Sequence, residues 1–164
     1  MPLTVRPATI ADSKSVYDWR NDPVMVSNSR TQAGVEWDRH AAWFPAQLAS
    51  PETTCLIVER SGEPCGVVWF RKNRSGIYET SINLAPQFRG QGLGAPTLAL
   101  SMDWIRRERS AFVFSAEIRN DNLPSIGTFE RCGFLFVYAS PGFGTYCTGL
   151  PMRIADQSTA GIRG

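Results

Sequence analysis

Three glycines at alternate positions follow an arginine in the segment RGQGLGAP, which begins at Arg89. Glycine has no Cβ atom, so Gly90, Gly92 and Gly94 let an anion approach the main-chain N–H groups closely. Arg89 adds a permanent positive charge and a fork of donors that fits a phosphate. Pro96 suits the first turn of a helix, whose free N–H groups and positive dipole end also attract an anion. The segment therefore predicts a binding loop for a diphosphate.

Two familiar phosphate-binding patterns fit this loop less well. The letters GQGLGA satisfy a loose dinucleotide pattern, but that pattern follows the first strand of a βαβ unit and expects an acidic residue about 20 positions later. Here the loop follows three strand-like runs, and Glu117 lies too far along the chain. The Walker pattern needs Gly-Lys-Ser/Thr, which is absent. A glycine turn without a ligand is the remaining alternative, although alternating glycines cost backbone entropy that a plain turn would not demand.

The cysteines and the histidine are the candidate metal ligands and nucleophiles. The four cysteines, Cys55, Cys65, Cys132 and Cys147, form no C-x-x-C pair, and His40 is the single histidine. This set gives little support for a metal site, and we expect reduced, buried thiols and no metal. A cysteine nucleophile is disfavoured because His40 lies in a different kind of segment, although the sequence leaves proximity in space open.

The charge balance bears on partners. Seventeen Lys and Arg residues against fifteen Asp and Glu give a net charge of +2, which argues against a nucleic-acid partner. The densest basic run, Arg106, Arg107 and Arg109, is typical of a solvated helix end. No 18-residue apolar stretch and no signal-like N-terminus is present. We therefore expect no membrane partner and a cytoplasmic location.

The elements that position the glycine loop follow from hydrophobic periodicity. LTVR predicts a first strand, followed by a helix that Asp12 caps and the turn NDP ends. After a polar loop, VEWDRHAAWFPAQLAS predicts a second helix that Pro45 bends or shortens. TTCLIVER, CGVVWFRK and IYETSINLA predict three consecutive antiparallel strands before the loop.

The segment after the loop changes character. PTLALSMDWIRRER predicts a long helix, AFVFSAEI a strand and NLPSIGTFERC a second helix of this half, before a last hairpin around PGFG. The length of 164 residues suits one domain with a sizeable core. We expect a single domain over residues 1–154 and a frayed tail over residues 155–164.

Two motifs give the chain a resemblance to the GNAT superfamily of acetyl-coenzyme A–dependent N-acetyltransferases. The family's pyrophosphate loop reads (Gln or Arg)-x-x-Gly-x-(Gly or Ala), and Arg89, Gly92 and Gly94 match it. The block NDNLPSIGTFERCGF is similar to a second family segment, through Asn122, Ser125, Ile126, Glu130, Gly133 and Phe134. The resemblance covers nearly the whole chain. It implies an α/β (α+β) fold with a mixed, mostly antiparallel twisted sheet of about seven strands and helices on both faces.

The resemblance also implies acetyl-coenzyme A (acetyl-CoA) as the acetyl donor. It would lie in a V-shaped split between the strands around Leu84 and Phe114, with its diphosphate on the main chain of residues 89–95. In the family an exposed strand N–H polarises the thioester carbonyl, and the amine attacks it directly. The implied cofactor-binding residues are Leu84, Arg89, Gly90, Gln91, Gly92, Leu93, Gly94, Ala95 and Asn122.

A neutral amine is the nucleophile, so a base must take its proton. Glu79 is the candidate base, because several branches of the family carry a Glu on the strand that leads into the loop. Strand alternation places Glu79, Ser81 and Asn83 on one face. The alternative is an exposed face on which Glu79 pairs with Arg71 across the sheet.

The general acid is less well defined. Many family members have a tyrosine where this chain has Phe129, and phenylalanine cannot protonate the leaving thiolate. Tyr138 is the candidate replacement on the last hairpin, and Tyr146 is the alternative. Either tyrosine could instead be a packing residue, and the thiolate could leave without an acid.

Two segments suggest the acceptor. WRNDP at 19–23 and EWDRHAAWF at 36–44 resemble segments of nucleotide-linked amino-sugar N-acetyltransferases of the pseudaminic-acid pathway type. They resemble ribosomal-protein N-terminal acetyltransferases less closely. The resemblance implies that His40 and Trp43, on one helical face, and Arg30, facing a nucleotide phosphate, bind the substrate. A core histidine and a solvated arginine are the alternatives.

These observations predict acetyl transfer to the primary amine of a small molecule, with a nucleotide-linked amino sugar as the first expectation. The N-terminal amine of a protein is the second. A non-catalytic acyl-CoA-binding module is the third, because Phe129 departs from the family pattern. The sequence leaves open whether the chain forms a homodimer.

Overall fold

The computed structural model describes residues 2–149. The predicted tail at 155–164 and the domain boundary at residue 154 lie outside the described residues. Seven strands form one sheet: β1 (Leu3–Pro7), β2 (Thr53–Arg60), β3 (Glu63–Lys72), β4 (Tyr78–Leu84), β5 (Phe114–Arg119), β6 (Leu135–Ser140) and β7 (Phe143–Thr148). Within residues 2–149 five α-helices accompany them: α1 (Ser13–Arg20), α2 (Pro23–Asn28), α3 (Trp37–Ala49), α4 (Gly94–Arg109) and α5 (Leu123–Arg131).

The strand order in the sheet is β1-β2-β3-β4-β5-β7-β6. All neighbouring strands are antiparallel except β4 and β5, which are parallel and pair only at Tyr78 with Phe114 and at Glu79 with Ser115. Pairing then stops, and a split opens between the ends of the two strands. Phe114 therefore lies at the closed end of the split and is fully buried.

Helices cover both faces of the sheet. Trp69 and Phe70 are neighbours on β3 and so point to opposite faces. On one face Trp69 contacts Trp43 of α3, with ring centroids 5.2 Å apart. On the other face Phe70 packs edge-on against Phe114 at 5.8 Å, and the guanidinium of Arg106 on α4 lies 5.2 Å from the Phe114 ring. The predicted fold class is thus confirmed.

Helix α2 was not predicted from the sequence, because NDP is typical of a turn. In the structure the carboxylate of Asp22 accepts a hydrogen bond from the N–H of Val24 at 3.1 Å, and Pro23 is the first helical residue. An aspartate followed by proline is a usual helix start. The helix has only six residues and buries none of them, so it shows no apolar periodicity.

Two other local predictions need correction. Asp12 precedes α1, but its carboxylate accepts hydrogen bonds from the main-chain N–H of Thr9 and from Arg6 instead of capping that helix. Pro45 lies inside α3, which continues beyond it to Ala49, so the proline does not shorten the helix, and the bend stays a prediction. Among the described residues no helix is both long and apolar enough to cross a membrane.

Candidate active site

The three glycines of the loop are required for different reasons. Gly90 and Gly92 have φ angles of +72° and +74°, which non-glycine residues rarely adopt. Gly94 has no such angle, but a Cβ atom there would lie 2.7 Å from Oγ1 of Thr128 on α5. Gly90 and Gly92 thus shape the loop, and Gly94 allows α5 to pack against it.

The loop presents a row of free main-chain donors. No main-chain N–H of residues 90–95 donates a hydrogen bond to another residue within the described range 2–149. The first hydrogen bond of α4 runs from the N–H of Thr97 to the carbonyl of Leu93 at 2.9 Å. Free N–H groups at a helix start, preceded by a glycine turn, fit the diphosphate of coenzyme A (CoA).

A groove of about 660 Å³ runs beside this loop. Its walls are the loop, the end of β4, α2 and the residues from Asp121 to Arg131. Among the predicted cofactor-binding residues, those that line it are Leu84, Arg89, Gly90, Gly92, Leu93, Gly94, Ala95 and Asn122. Gln91 does not line the groove. Its side-chain oxygen accepts a hydrogen bond from Arg60 at 2.6 Å, and its side-chain nitrogen donates to the carbonyl of Gln87 at 2.8 Å. Only the main chain of Gln91 can therefore contact an anion in the groove.

Arg89 lines the groove, but each of its three guanidinium nitrogens already has a protein partner. Its guanidinium forms an ion pair with Asp22, and its Nε donates to the carbonyl of Leu84 at 3.0 Å. A further hydrogen bond reaches Oδ1 of Asn83 at 3.3 Å. The pair lowers the pKa of Asp22 below its ordinary value, chiefly through the hydrogen bond from Arg89. Arg89 thus fastens the start of α2 to the end of β4, a role that the sequence did not predict.

The split also contains main-chain donors from β4. The N–H of Tyr78 bonds the residue just before β5, whereas the N–H of Ala85 bonds β3, both at 2.9 Å. N–H direction alternates along a strand, so the N–H groups of Ile82 and Leu84 point away from β3 and into the split. There they can polarise a carbonyl oxygen. The sequence analysis did not identify Ile82, because only the pairing shows which strand ends are free.

A second cavity, of about 420 Å³, adjoins the closed end of the split. Residues from five strands share this face, because Glu79 lies opposite Arg71 and Ser115 in the strand register and Tyr138 lies opposite Thr145. The predicted catalytic residues Glu79 and Tyr138 therefore share one cavity. We call it the acceptor pocket; its lining is Trp69, Arg71, Glu79, Thr80, Ser81, Ser115, Ala116, Glu117, Tyr138 and Thr145.

The acceptor pocket contains one cation and one anion that are free. Arg71 and Glu79 are directly opposite in register, yet neither forms an ion pair or a hydrogen bond with any residue in the described part of the chain. The ion pair that the sequence offered as an alternative is therefore not formed. Glu117, in contrast, pairs with Arg30, whose Nε lies 3.1 Å from Oε1 of the glutamate. Arg30 thus stands at the rim, where it also stacks over Phe143 at 4.8 Å.

The two predicted substrate residues of α3 have different surroundings. His40 is 2% exposed, and its Nε2 lies 3.0 Å from the carbonyl oxygen of Ser13. Burial lowers the pKa of His40, so the ring is neutral near pH 7. His40 does not line the acceptor pocket, so its contact with a substrate stays a prediction. Trp43 is 40% exposed and contacts Trp69, which does line the pocket.

The surroundings of the aromatic residues separate the candidate acids. Phe129 is buried against Phe134, with ring centroids 4.9 Å apart. Tyr146 is also buried, and strand alternation puts it on the sheet face opposite Thr145 and the acceptor pocket. Tyr138 is 58% exposed and lines the pocket. Of the two candidates, Tyr138 is therefore the tyrosine that a molecule in the acceptor pocket can contact.

The cysteines are free thiols. Cys55 and Cys65 are buried, Cys132 and Cys147 are half-buried, and burial raises the pKa of all four. They are therefore poor nucleophiles at neutral pH. Within residues 2–149 no group of three His, Cys, Asp or Glu side chains is placed to hold a metal ion.

Known proteins match the chain along most of its length. The model of the Acetyltransferase (GNAT) family matches residues 14–134. A Bacillus subtilis (strain 168) protein, provisionally named as a ribosomal protein bS18-alanine N-acetyltransferase, is 32% identical over 94 residues. That match covers 56% of this chain and 60% of the relative, so it spans less than two thirds of the relative's length.

A second relative matches over a longer region. The L-methionine sulfoximine/L-methionine sulfone acetyltransferase of Salmonella typhimurium (strain LT2) is 29% identical over 153 residues, which is 87% of this chain and 85% of the relative. A solved structure of the aminoglycoside acetyltransferase AAC(6')-Ib with coenzyme A has the same fold, with a TM-score of 0.77 at 19% identity, over 90% of this chain and 95% of that one.

The family model, the loop of free N–H groups and the split between β4 and β5 agree with one another. The prediction of the GNAT superfamily is thereby confirmed, whereas the narrower amino-sugar and ribosomal-protein branches remain predictions. The chain belongs to the GNAT family of acetyltransferases.

Proposed function

We propose that the chain transfers acetyl from acetyl-CoA to the primary amine of a small acceptor that carries an anionic group close to the amine. One observation carries this choice of acceptor: the acceptor pocket holds an unpaired carboxylate, Glu79, directly opposite an unpaired guanidinium, Arg71. A zwitterionic acceptor satisfies both charges, since its ammonium faces Glu79 and its anion faces Arg71. A polycation satisfies only Glu79.

The reaction follows from the same residues. Main-chain N–H groups of residues 90–95 bind the diphosphate, and those of Ile82 and Leu84 polarise the thioester carbonyl. Glu79 accepts a proton from the acceptor amine, directly or through water, so that the neutral nitrogen attacks the carbonyl carbon. The C–N bond forms and the C–S bond breaks. The hydroxyl of Tyr138 gives a proton to the departing thiolate.

The acceptors of the two relatives both carry an α-amine, and one of them also has an anion beside it. Methionine sulfoximine and methionine sulfone are α-amino acids, whose amine and carboxylate share one carbon atom. An alanine at a protein N-terminus keeps the α-amine but not the carboxylate. Free α-amino acids are therefore the first members of the class to test.

The nucleotide-linked amino sugar predicted from the sequence belongs to the same broad class, because its diphosphate is anionic. It would need Arg71, or Arg30 released from Glu117, to meet the diphosphate. We keep it as the second acceptor. The free thiols support a reaction in the cytoplasm. The homodimer also stays a prediction, and the exposed apolar residues of the edge strand β6 are where sedimentation measurements with surface variants would test it.

The experiment measures free thiol released from acetyl-CoA by the purified protein. The acceptors are L-methionine sulfone, its uncharged amide, a UDP-4-amino-4,6-dideoxy sugar, spermidine and an alanine-ended peptide. We expect the amino acid to react well above its amide, and Arg71→Gln to remove that preference. Equal rates with the amide would refute the anionic class. Fast reaction of the peptide instead would favour an N-terminal acetyltransferase.

A variant of the base separates catalysis from binding. Glu79→Gln should lower kcat by about 10²- to 10⁴-fold, the usual contribution of a general base. Acetyl-CoA binding, measured by calorimetry, should not change. Glu117→Gln is the matched control, since it removes a carboxylate of the same pocket that Arg30 already neutralises. Unchanged turnover in Glu79→Gln would remove Glu79 from the mechanism. If the wild type binds the cofactor but shows no turnover with any acceptor, a non-catalytic binding module would be favoured.

A further inference from the structure

The CoA groove contains one cation that has no partner. Three charged residues line the groove: Arg89, Asp121 and Arg131. Arg89 is paired with Asp22, and Asp121 is paired with Arg119 at 3.1 Å. Arg131 forms no hydrogen bond and no ion pair with any residue between 2 and 149. The groove thus keeps one positive charge that the fold itself does not use.

The position of the Arg131 guanidinium is set by a glycine. Arg131 is the last residue of α5, and its side chain folds back along the helix over Gly127. A Cβ atom built at Gly127 would lie 3.8 Å from one terminal nitrogen of the guanidinium. The next residue, Thr128, contacts Gly94 of the diphosphate loop. The free cation therefore lies one helical turn from the residue that touches the loop.

Acetyl-CoA brings two separate phosphate groups to such a groove. The diphosphate is served by the main-chain N–H groups of residues 90–95, which need no side-chain cation. The second group, the 3′-phosphate of the ribose, is a monoester that is close to doubly charged at neutral pH. A guanidinium is the side chain best suited to such an anion, because its donors bind two phosphate oxygens at once.

We propose that Arg131 binds the 3′-phosphate of CoA and so selects CoA over dephospho-CoA. The proposal rests on the proposed function, since it assumes that the groove holds acetyl-CoA. Arg131 is exposed. Its contribution is therefore screened by salt, and the preference for CoA should shrink as salt is raised. Removal of its charge should not disturb folding, because it has no protein partner to lose.

The test is a binding cycle by calorimetry, with no turnover involved. CoA and dephospho-CoA are each titrated into the wild type, Arg131→Gln and Arg107→Gln. Arg107 is an exposed arginine on α4 that lines neither cavity, so its variant loses the same charge elsewhere. We expect the wild type to bind CoA about tenfold more tightly than dephospho-CoA, the scale of one charge-assisted hydrogen bond. Arg131→Gln should bind both about equally, with its affinity for dephospho-CoA unchanged. Arg107→Gln should keep the wild-type ratio.

Each other outcome overturns a definite statement. If Arg131→Gln weakens the binding of both ligands by the same factor, the arginine binds the diphosphate, and the 3′-phosphate assignment is wrong. If the wild type already binds both ligands equally, the groove makes no use of the 3′-phosphate. If the wild type binds neither ligand, the proposed function fails, which is a different result from losing only the ratio.

Discussion

Tyr138 and Tyr146 lie on neighbouring strands, but only the first faces the acceptor pocket. We predict that Tyr138→Phe lowers kcat by about 10- to 100-fold, because the thiolate loses its proton donor, while the KM for the acceptor changes little. Steady-state kinetics checks the split between kcat and KM. Tyr146→Phe is the matched control and should leave kcat near the wild-type value. A full rate in Tyr138→Phe would mean that the thiolate leaves without this hydroxyl.

At the scale of elements, Gly94 decides how closely the loop and α5 approach. Gly94→Ala would put a Cβ atom 2.7 Å from Oγ1 of Thr128, an overpacked contact. We predict a loss of about 1–3 kcal/mol in the free energy of unfolding, measured by urea denaturation. The double variant with Thr128→Ala should recover most of that loss.

Gly92→Ala provides the comparison for this pair. A Cβ at Gly92 meets nothing within 4 Å, and the cost there comes from the φ angle of +74°. That strain, about 1–2 kcal/mol, should not respond to Thr128→Ala. If Thr128→Ala restored the stability of both glycine variants equally, or of neither, steric contact with α5 would not explain why position 94 requires glycine.

The ion pair between Asp22 and Arg89 joins α2 to the end of β4. Asp22→Asn keeps a good helix cap for α2, so it isolates the loss of the charge. We predict that it lowers the free energy of unfolding by about 1–2 kcal/mol, and that it weakens acetyl-CoA binding several-fold because α2 and Arg89 form part of the groove. Calorimetry and denaturation measure the two effects.

A control for Asp22 is available in α1. Asp18 pairs with Lys14 on the exposed helix surface, so Asp18→Asn should change stability by less than about 0.5 kcal/mol and leave cofactor binding alone. If Asp22→Asn behaved like Asp18→Asn in both assays, the ion pair would have no positioning role in the groove.

At the scale of the whole molecule, stability should depend on pH through His40. The histidine has a pKa of 6.5 when unfolded, and burial lowers the pKa in the folded state. As pH falls below 6.5, the unfolded chain takes up the proton first, so folding becomes less favourable. The contribution of His40 is complete above pH 6.5 and is lost as pH falls through the folded pKa.

The measurement compares the wild type with His40→Gln by denaturation between pH 7 and 5. The wild type should lose stability with a slope of up to about 1.4 kcal/mol per pH unit, and the variant should lose much less. His40 is the single histidine of the sequence, so no other imidazole titrates in this range. Equal slopes would show that the ring is as easily protonated in the folded protein as in the unfolded chain.

The sequence by itself determined the features that depend on neighbouring residues. The alternating glycines, the strand before them and the helix after them predicted the diphosphate loop, because turn geometry and helix starts are local properties. Periodicity and motif order were enough for the fold class and the family. The short helix α2 was missed for the same reason, since six residues with no buried side chain carry no periodic signal.

Tertiary structure alone decided which charges are free. The sequence predicted that Arg89 binds a phosphate, but its ion-pair partner Asp22 lies 67 residues away along the chain. Arg30 meets Glu117 across 87 residues, whereas Arg71 stays free beside Glu79 although their strands are adjacent. Ion pairing depends on side-chain positions to within an ångström or so, because hydrogen bonds weaken steeply outside their narrow range of distance and angle. Segments distant in sequence set those positions only when they pack together, so the glycine loop with its flanking strand and helix could be predicted, whereas the pairing of the charges around it could not.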